Sequence, residues 1–243
     1  MLKKFEKHLL ELSHTLNEKV VMVSNSNKIP PHWQDYLSDS ITIRKFGILY
    51  ELSKIEQYFP VSMNALKQKI IDAFLFESEK QGICRAFVQL IDGKEYLLIS
   101  NLPWKYKSVE SNKSSELFKN NIHIALYWIY NNIMDGLTDK NGFCGFKPLS
   151  DISTISNFQY NWSEMDWYSQ FSNKNNVKYI YEFLNSGGGG YLLLHLNYNW
   201  RNLREFKCFY VNVKDIETQP EQVNAFPYLD EWMAIGLAEI DLE

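Results

Sequence analysis

Leu2, Phe5, Leu9, Leu12 and Leu16 recur every three or four residues with Lys and Glu between them, which predicts an amphipathic helix over 3–18. Val20–Val23 reads as a short strand, and Pro30-Pro31 as a break from which Pro31 opens a short helix through Leu37. Ile41–Ile43 reads as a strand. A helix over 44–59 follows, with Phe46, Leu49, Leu52, Ile55 and Phe59 turned inward. Pro60 is expected to end it, and Ser62 to cap a helix over 63–79 that buries Leu66, Ile70, Ala73, Phe74 and Leu75. Ile83–Ile91 and Glu95–Ile99 flank Asp92-Gly93-Lys94, a hairpin signature.

The stretch 100–115 is polar and is the best candidate for a linker. A long helix is expected over Leu117–Met134, burying Leu117, Ile124, Trp128 and Ile129. Beyond it the texture changes, since eight of the 11 glycines lie in 120–243. Strands are expected near 143–147, 177–184, 191–198 and 206–213, and a final helix over about 227–239 carrying Tyr228, Trp232 and Ile235. Between two of these strands stands Asn185-Ser186-Gly187-Gly188-Gly189-Gly190. Glycine belongs where φ is positive or where another part of the chain comes close, so the run reads as a wide hairpin loop.

Charge divides the chain. Residues 1–119 hold 17 Lys and Arg against 14 Asp and Glu, a net of +3, while 120–243 hold 8 against 15, a net of −7. Phosphate recognition needs basic clusters, so the second half argues against nucleic acid and suits a basic protein partner or a solvated acidic face. Cys84, Cys144 and Cys208 are odd in number and widely spaced, which argues for free thiols in a reducing compartment. No CxxC pair and no zinc-ligand spacing appears, so neither a metal nor a cofactor is expected. Lys3, Lys4, Glu6 and Lys7 put charge where a signal peptide carries its apolar core, and no run of about 18 apolar residues occurs. A cytoplasmic protein without membrane contact is the expectation.

Candidate chemistry is sparse. The glycine run is followed by Tyr191 and a strand, so it is neither a P-loop nor a dinucleotide fingerprint. His195 lies inside an apolar strand, where a satisfied core histidine competes with a catalytic role needing a carboxylate brought by the fold. Cys144, between Gly142 and Gly145, is expected to be more accessible than Cys84 or Cys208. Asn161–Tyr168 mixes acids and aromatics. It reads either as a capped short helix with its Trp residues in the core or as a recognition surface.

Asp135-Gly136, Gly142–Ile152, the aromatics Trp162 and Trp167, the strand–Gly–strand unit Tyr179–Tyr191 and Phe226–Trp232 occur in an order that resembles the SUKH superfamily. Many of its members are bacterial immunity proteins. The resemblance covers about 115–243 and reaches back to Leu102-Pro103-Trp104; residues 1–100 have no counterpart in it. It implies an α+β fold, a mostly antiparallel sheet flanked by helices, with a SUKH-like second half and a helical N-terminal part. The division expected is 1–101 and 115–243, or one continuous domain. The implied function is non-enzymatic: binding a cognate toxin, with a nuclease among the candidates, and occluding its active site, as a monomer or weak homodimer. The residues expected to face the toxin are Asp135, Asp139, Glu164, Asp166 and Trp167. An enzyme seeded by His195, with a pocket between the 83–99 hairpin and the sheet of the second half, and a self-associating scaffold are the alternatives.

Overall fold

The structure is a computed structural model that describes residues 2–24, 27–107, 120–155, 162–186, 188–196 and 207–239. Leu117 and most of the proposed linker, Asn161, Gly187 and the stretch 197–206 lie outside the described residues.

The fold is α+β. Eleven strands form one antiparallel sheet: β1 (Val20–Met22), β2 (Ile70–Ser78), β3 (Gly82–Ile91), β4 (Lys94–Asn101), β5 (Asp135–Asp139), β6 (Cys144–Phe146), β7 (Ser153–Thr154), β8 (Ile180–Ser186), β9 (Gly190–His195), β10 (Lys207–Asn212) and β11 (Glu221–Asn224). The strands pair in chain order, except that β6 and β7 both pair with β8. β4 pairs with β5, Leu98 opposite Asp139, so the sheet runs unbroken across the expected boundary.

One face of the sheet carries the large core. Against it lie the 3-10 turn Pro31–Leu37, α2 (Ile41–Ile55), α3 (Pro60–Lys69), α4 (Ile124–Asn132) and α6 (Ala225–Ala238). The other face has two smaller cores. Phe5 and Leu12 of α1 (Leu2–Leu16) cover Phe74, Val88, Leu97 and Ile99, and Phe171 of α5 (Tyr168–Asn175) joins Trp162 and Trp167 over Ile180, Leu193 and Phe209.

Several sequence expectations are corrected. Ile41–Ile43 is the first turn of α2, not a strand, and Pro60 opens α3 rather than ending a helix. The expected helix over 63–79 breaks at Lys69, and Ile70–Ser78 is a strand buried on nearly its whole length. An apolar run of that length fits either structure by periodicity, and pairing with β1 and β3 decides it. Ile124 is exposed at the start of α4, whose cap is His123: its Nδ1 accepts from Ala125 N at 3.2 Å.

The face of α2 is rotated from the expected one. Phe46 is 67% exposed and Leu49 is also outside, while Arg44 and Glu51 point inward. Arg44 makes a bidentate pair with Asp72 at 2.7 and 2.9 Å. Glu51 binds Arg85 of β3 and accepts from Tyr36 Oη at 3.1 Å. The Arg85 guanidinium lies 4.5 Å from the Trp33 ring and 4.2 Å from Phe87. Buried charges are tolerated only when paired, so these two contacts set the helix rotation against the apolar pattern.

Candidate functional site

The pairing register places four turns at one end of the sheet. Ile91 faces Lys94 across the β3–β4 turn, Leu98 faces Asp139, Cys144 faces Ser186, Gly190 faces Asn212 and Tyr210 faces Glu221. Hence the turns after β3, β5, β8 and β10 share that end, and Glu239 at the C-cap of α6 lines a cleft with two of them. Loops held by a rigid sheet are where recognition residues concentrate. These turns carry Asp92, Asp139, Asp215 and Glu217, with Glu221 and Glu239 adjacent, against Lys94, Lys140 and Lys214.

The turn geometry follows from the sequence locally. Asp92 and Gly93 adopt φ of 49° and 74°, the conformation a two-residue hairpin turn demands. Asp139 folds its carboxylate back, accepting from Cys144 N at 2.7 Å and Asn141 N at 3.2 Å. Ser186 Oγ accepts from Gly188 N and Gly190 N at 3.2 and 3.0 Å, closing the glycine-run hairpin. A Cβ on Gly190 would stand 2.9 Å from Tyr210 and 3.1 Å from Trp232, so this glycine permits close packing under α6.

Two clefts flank the β5–β6 turn. One, about 330 Å³, is lined by Thr15 and Leu16 of α1, Thr138, Lys140 and Lys147. It lies beside the α1 core, whose Leu16 and Ile99 line it. The other, about 390 Å³, lies on the face of the large core. Its floor is Gln89, Ile91, Tyr96 and Leu98, and its walls are the β5–β6 turn and the end of α6. Phe143 lines both and is 65% exposed.

The five residues expected to face a partner divide. Asp135 is 1% exposed and its carboxylate is engaged: Trp104 Nε1 at 3.0 Å, Leu149 N at 2.7 Å and Lys107 Nζ at 2.7 Å. It joins three of the segments that carry the resemblance and is a structural residue, not a contact residue. Trp167 is 7% exposed, packs edge-on to Trp162 and Phe171, and donates from Nε1 to the Ile216 carbonyl at 2.9 Å. It too leaves the surface. Asp139 is half-buried at the turn end, and Glu164 and Asp166 are exposed. The Trp167–Ile216 bond sets Asp166 beside the Asp215–Glu217 turn. The sequence reading missed Asp92, Asp215, Glu217 and Glu239; the hairpin turn at Asp92 was readable, but not β11 or that these turns and the end of α6 share one end.

Of the candidate nucleophiles and bases, only Cys144 lines a cleft. Cys144 is buried at 8% exposed, though more accessible than Cys84 and Cys208 as expected, and burial followed by the charge of Asp139 pushes its thiol up to about 12. Burial likewise raises Cys84 to about 12 and Cys208 still further. His195 is buried in β9, donates from Nε2 to the Asn175 carbonyl, and lines neither cleft. The pocket expected between the 83–99 hairpin and the second half exists as the larger cleft, without the histidine. Among the described residues, no group of three His, Cys, Asp or Glu is arranged to hold a metal ion, and no helix is long and apolar enough to cross a membrane. No family model matches the chain, and neither does any curated protein or solved structure.

Proposed function

We propose that this protein binds a basic toxic protein in the cytoplasm and neutralises it by covering its active site. The observation that carries the reading is the gathering of exposed carboxylates in turns at one end of a rigid sheet, in the half of the chain whose net charge is −7. A carboxylate-rich rim steers a basic partner and raises the association rate, while neighbouring apolar groups slow dissociation. The resemblance of 115–243 to the SUKH superfamily supports the same reading, as do three cysteines whose thiols are held in the unreactive form. A nuclease is a fitting target, because a surface built to hold phosphate is basic.

The adjacent gene is expected to encode a secreted toxin, and the test is co-expression with its product, with growth rescue as the readout and complex formation measured by surface plasmon resonance. Rescue and a complex are expected. No rescue and no complex at micromolar concentration would end the reading. Glu164→Lys with Asp166→Lys, and Asp215→Lys with Glu217→Lys, are expected to slow association most at low salt, leaving dissociation nearly unchanged.

A further inference from the structure

The larger cleft contains a polar group without a partner. Gln89 lines its floor, is 1% exposed, and its Nε2 makes no hydrogen bond among the described residues. A buried donor left unmade is unfavourable, so an acceptor arriving from outside would be welcomed there. The charge of the cleft has a sign. Asp139 and Glu239 both line it, and Lys140, the one lysine among the described residues that does, has its Nζ on Glu11 of α1, on the opposite face of the sheet. Lys69, at the end of α6, is engaged by the Ala238 and Glu239 carbonyls, and Lys94 stands opposite Ile91 at the β3–β4 turn. The apolar part of the lining is Phe143 and Tyr96, both exposed, with Ile91, Leu98 and Leu237, and Asn141 and Ser186 add neutral polar groups.

A free strand edge runs beside the cleft. β5 leaves β4 at the Leu98–Asp139 pair, with Lys140 N donating to the Leu97 carbonyl at 3.1 Å. Among the described residues, Lys94–Tyr96 pair only with β3. An extended segment docked there gains main-chain hydrogen bonds and places side chains toward the cleft.

We propose that this cleft is the anchor site for a lysine or arginine side chain carried on an extended segment of the partner. The methylene stem lies against Phe143 and Tyr96, the cationic head reaches Asp139 and Glu239, and Gln89 Nε2 turns to donate to a main-chain carbonyl of the same segment. Rings with nearby carboxylates suit a cation with an apolar stem better than a neutral side chain. The inference rests on the reading of the protein as a binder of a basic partner, and names the contact.

The experiment needs no knowledge of the partner. The full ¹⁵N-labelled chain is titrated with acetyl-Ala-Arg-Ala-amide and, separately, with acetyl-Ala-Gln-Ala-amide. The arginine peptide is expected to shift the amides of Tyr96, Leu98, Asn141, Phe143 and Glu239 saturably in the millimolar range, together with the Gln89 side-chain amide. Phe143→Ala and Glu239→Gln, both at exposed positions and checked for folding by circular dichroism, should each weaken it about two- to fivefold. Equal shifts with the two peptides, no shift at the cleft, or no effect of either substitution overturns the proposal. A negative titration removes this site and leaves the toxin-neutralising reading to its own rescue assay, whereas a failed rescue with a positive titration removes only the toxin.

Discussion

Arg85 and Glu51 make the clearest quantitative test of how this fold is held. Both side chains are wholly inaccessible, and α2 gives up an inward Phe46 to place Glu51 against β3. Arg85→Met strands the Glu51 carboxylate, leaving it only the Tyr36 hydroxyl. Breaking a buried pair from one side costs about 3–5 kcal/mol, because the remaining charge stays desolvated. At about 2–4 °C of melting temperature per kcal/mol for a chain of this size, that is a loss of roughly 6–20 °C. Glu51→Leu strands Arg85 less completely, since Ser100 Oγ at 3.2 Å and the rings of Trp33 and Phe87 still face the guanidinium, so its loss should be smaller. The double variant removes both charges from an apolar surround and is expected to recover to within about 1–2 kcal/mol of the parent, or to exceed it. Urea unfolding of the four proteins closes the cycle. Additive losses in the double variant would refute the argument that desolvation of the widowed charge dominates.

Two further outcomes follow from the same physics. Asp230 of α6 is buried and caps α3, accepting from Val61 N, Ser62 N and Ser62 Oγ at 2.9, 2.8 and 2.7 Å, so Asp230→Ala should lose about 2–3 kcal/mol in urea unfolding; a change below about 0.5 kcal/mol would show that water replaces the cap. His32 is held down from 6.5 to about 4, first by burial and then by Arg85, so the unfolded chain takes up a proton that the folded one refuses; stability should fall as pH drops from about 6.5 to about 4, His32→Gln should flatten that slope, and an unchanged slope would refute the assignment.

Periodicity identified α1, the β3–β4 hairpin, β8, β9, β10 and α6 because each has one apolar face or a turn dipeptide that only one structure satisfies. It failed where a second constraint outranked the pattern. Phe46 and Leu49 fit a core stripe as well as Ile48 and Leu52 do, and only the partners Asp72 and Arg85, remote in sequence, decide the rotation. Ile70–Phe76 is apolar on both sides because the strand is covered on both faces, which removes the alternation that would mark it. Asp135 was legible as a special residue but not as a buried one, and for Trp167 the sequence left core and surface both open. A carboxylate or indole that holds three segments together and one that waits for a partner look alike until their donors and acceptors are located.

The antiparallel order of the strands explains why the acidic groups gather. When neighbours in sequence are neighbours in the sheet, alternate turns fall at the same end, so residues from 92 to 221 reach one surface without any long crossover. Such turns contribute little to the core, since their side chains stand beyond the last strand pair. They are free to collect charge that a core position would reject. Six carboxylates against three lysines, a net of −3, thus gather at an end where Phe143 is also exposed and where, among the described residues, β4 keeps a short unpaired edge. Exposed strand edges are hazards that folds commonly block with charge, and Lys94 and Glu95 do so here. A partner that matches those charges turns the same barrier into selectivity, because an uncharged strand arriving at that edge would have to desolvate the lysine and the glutamate without compensation.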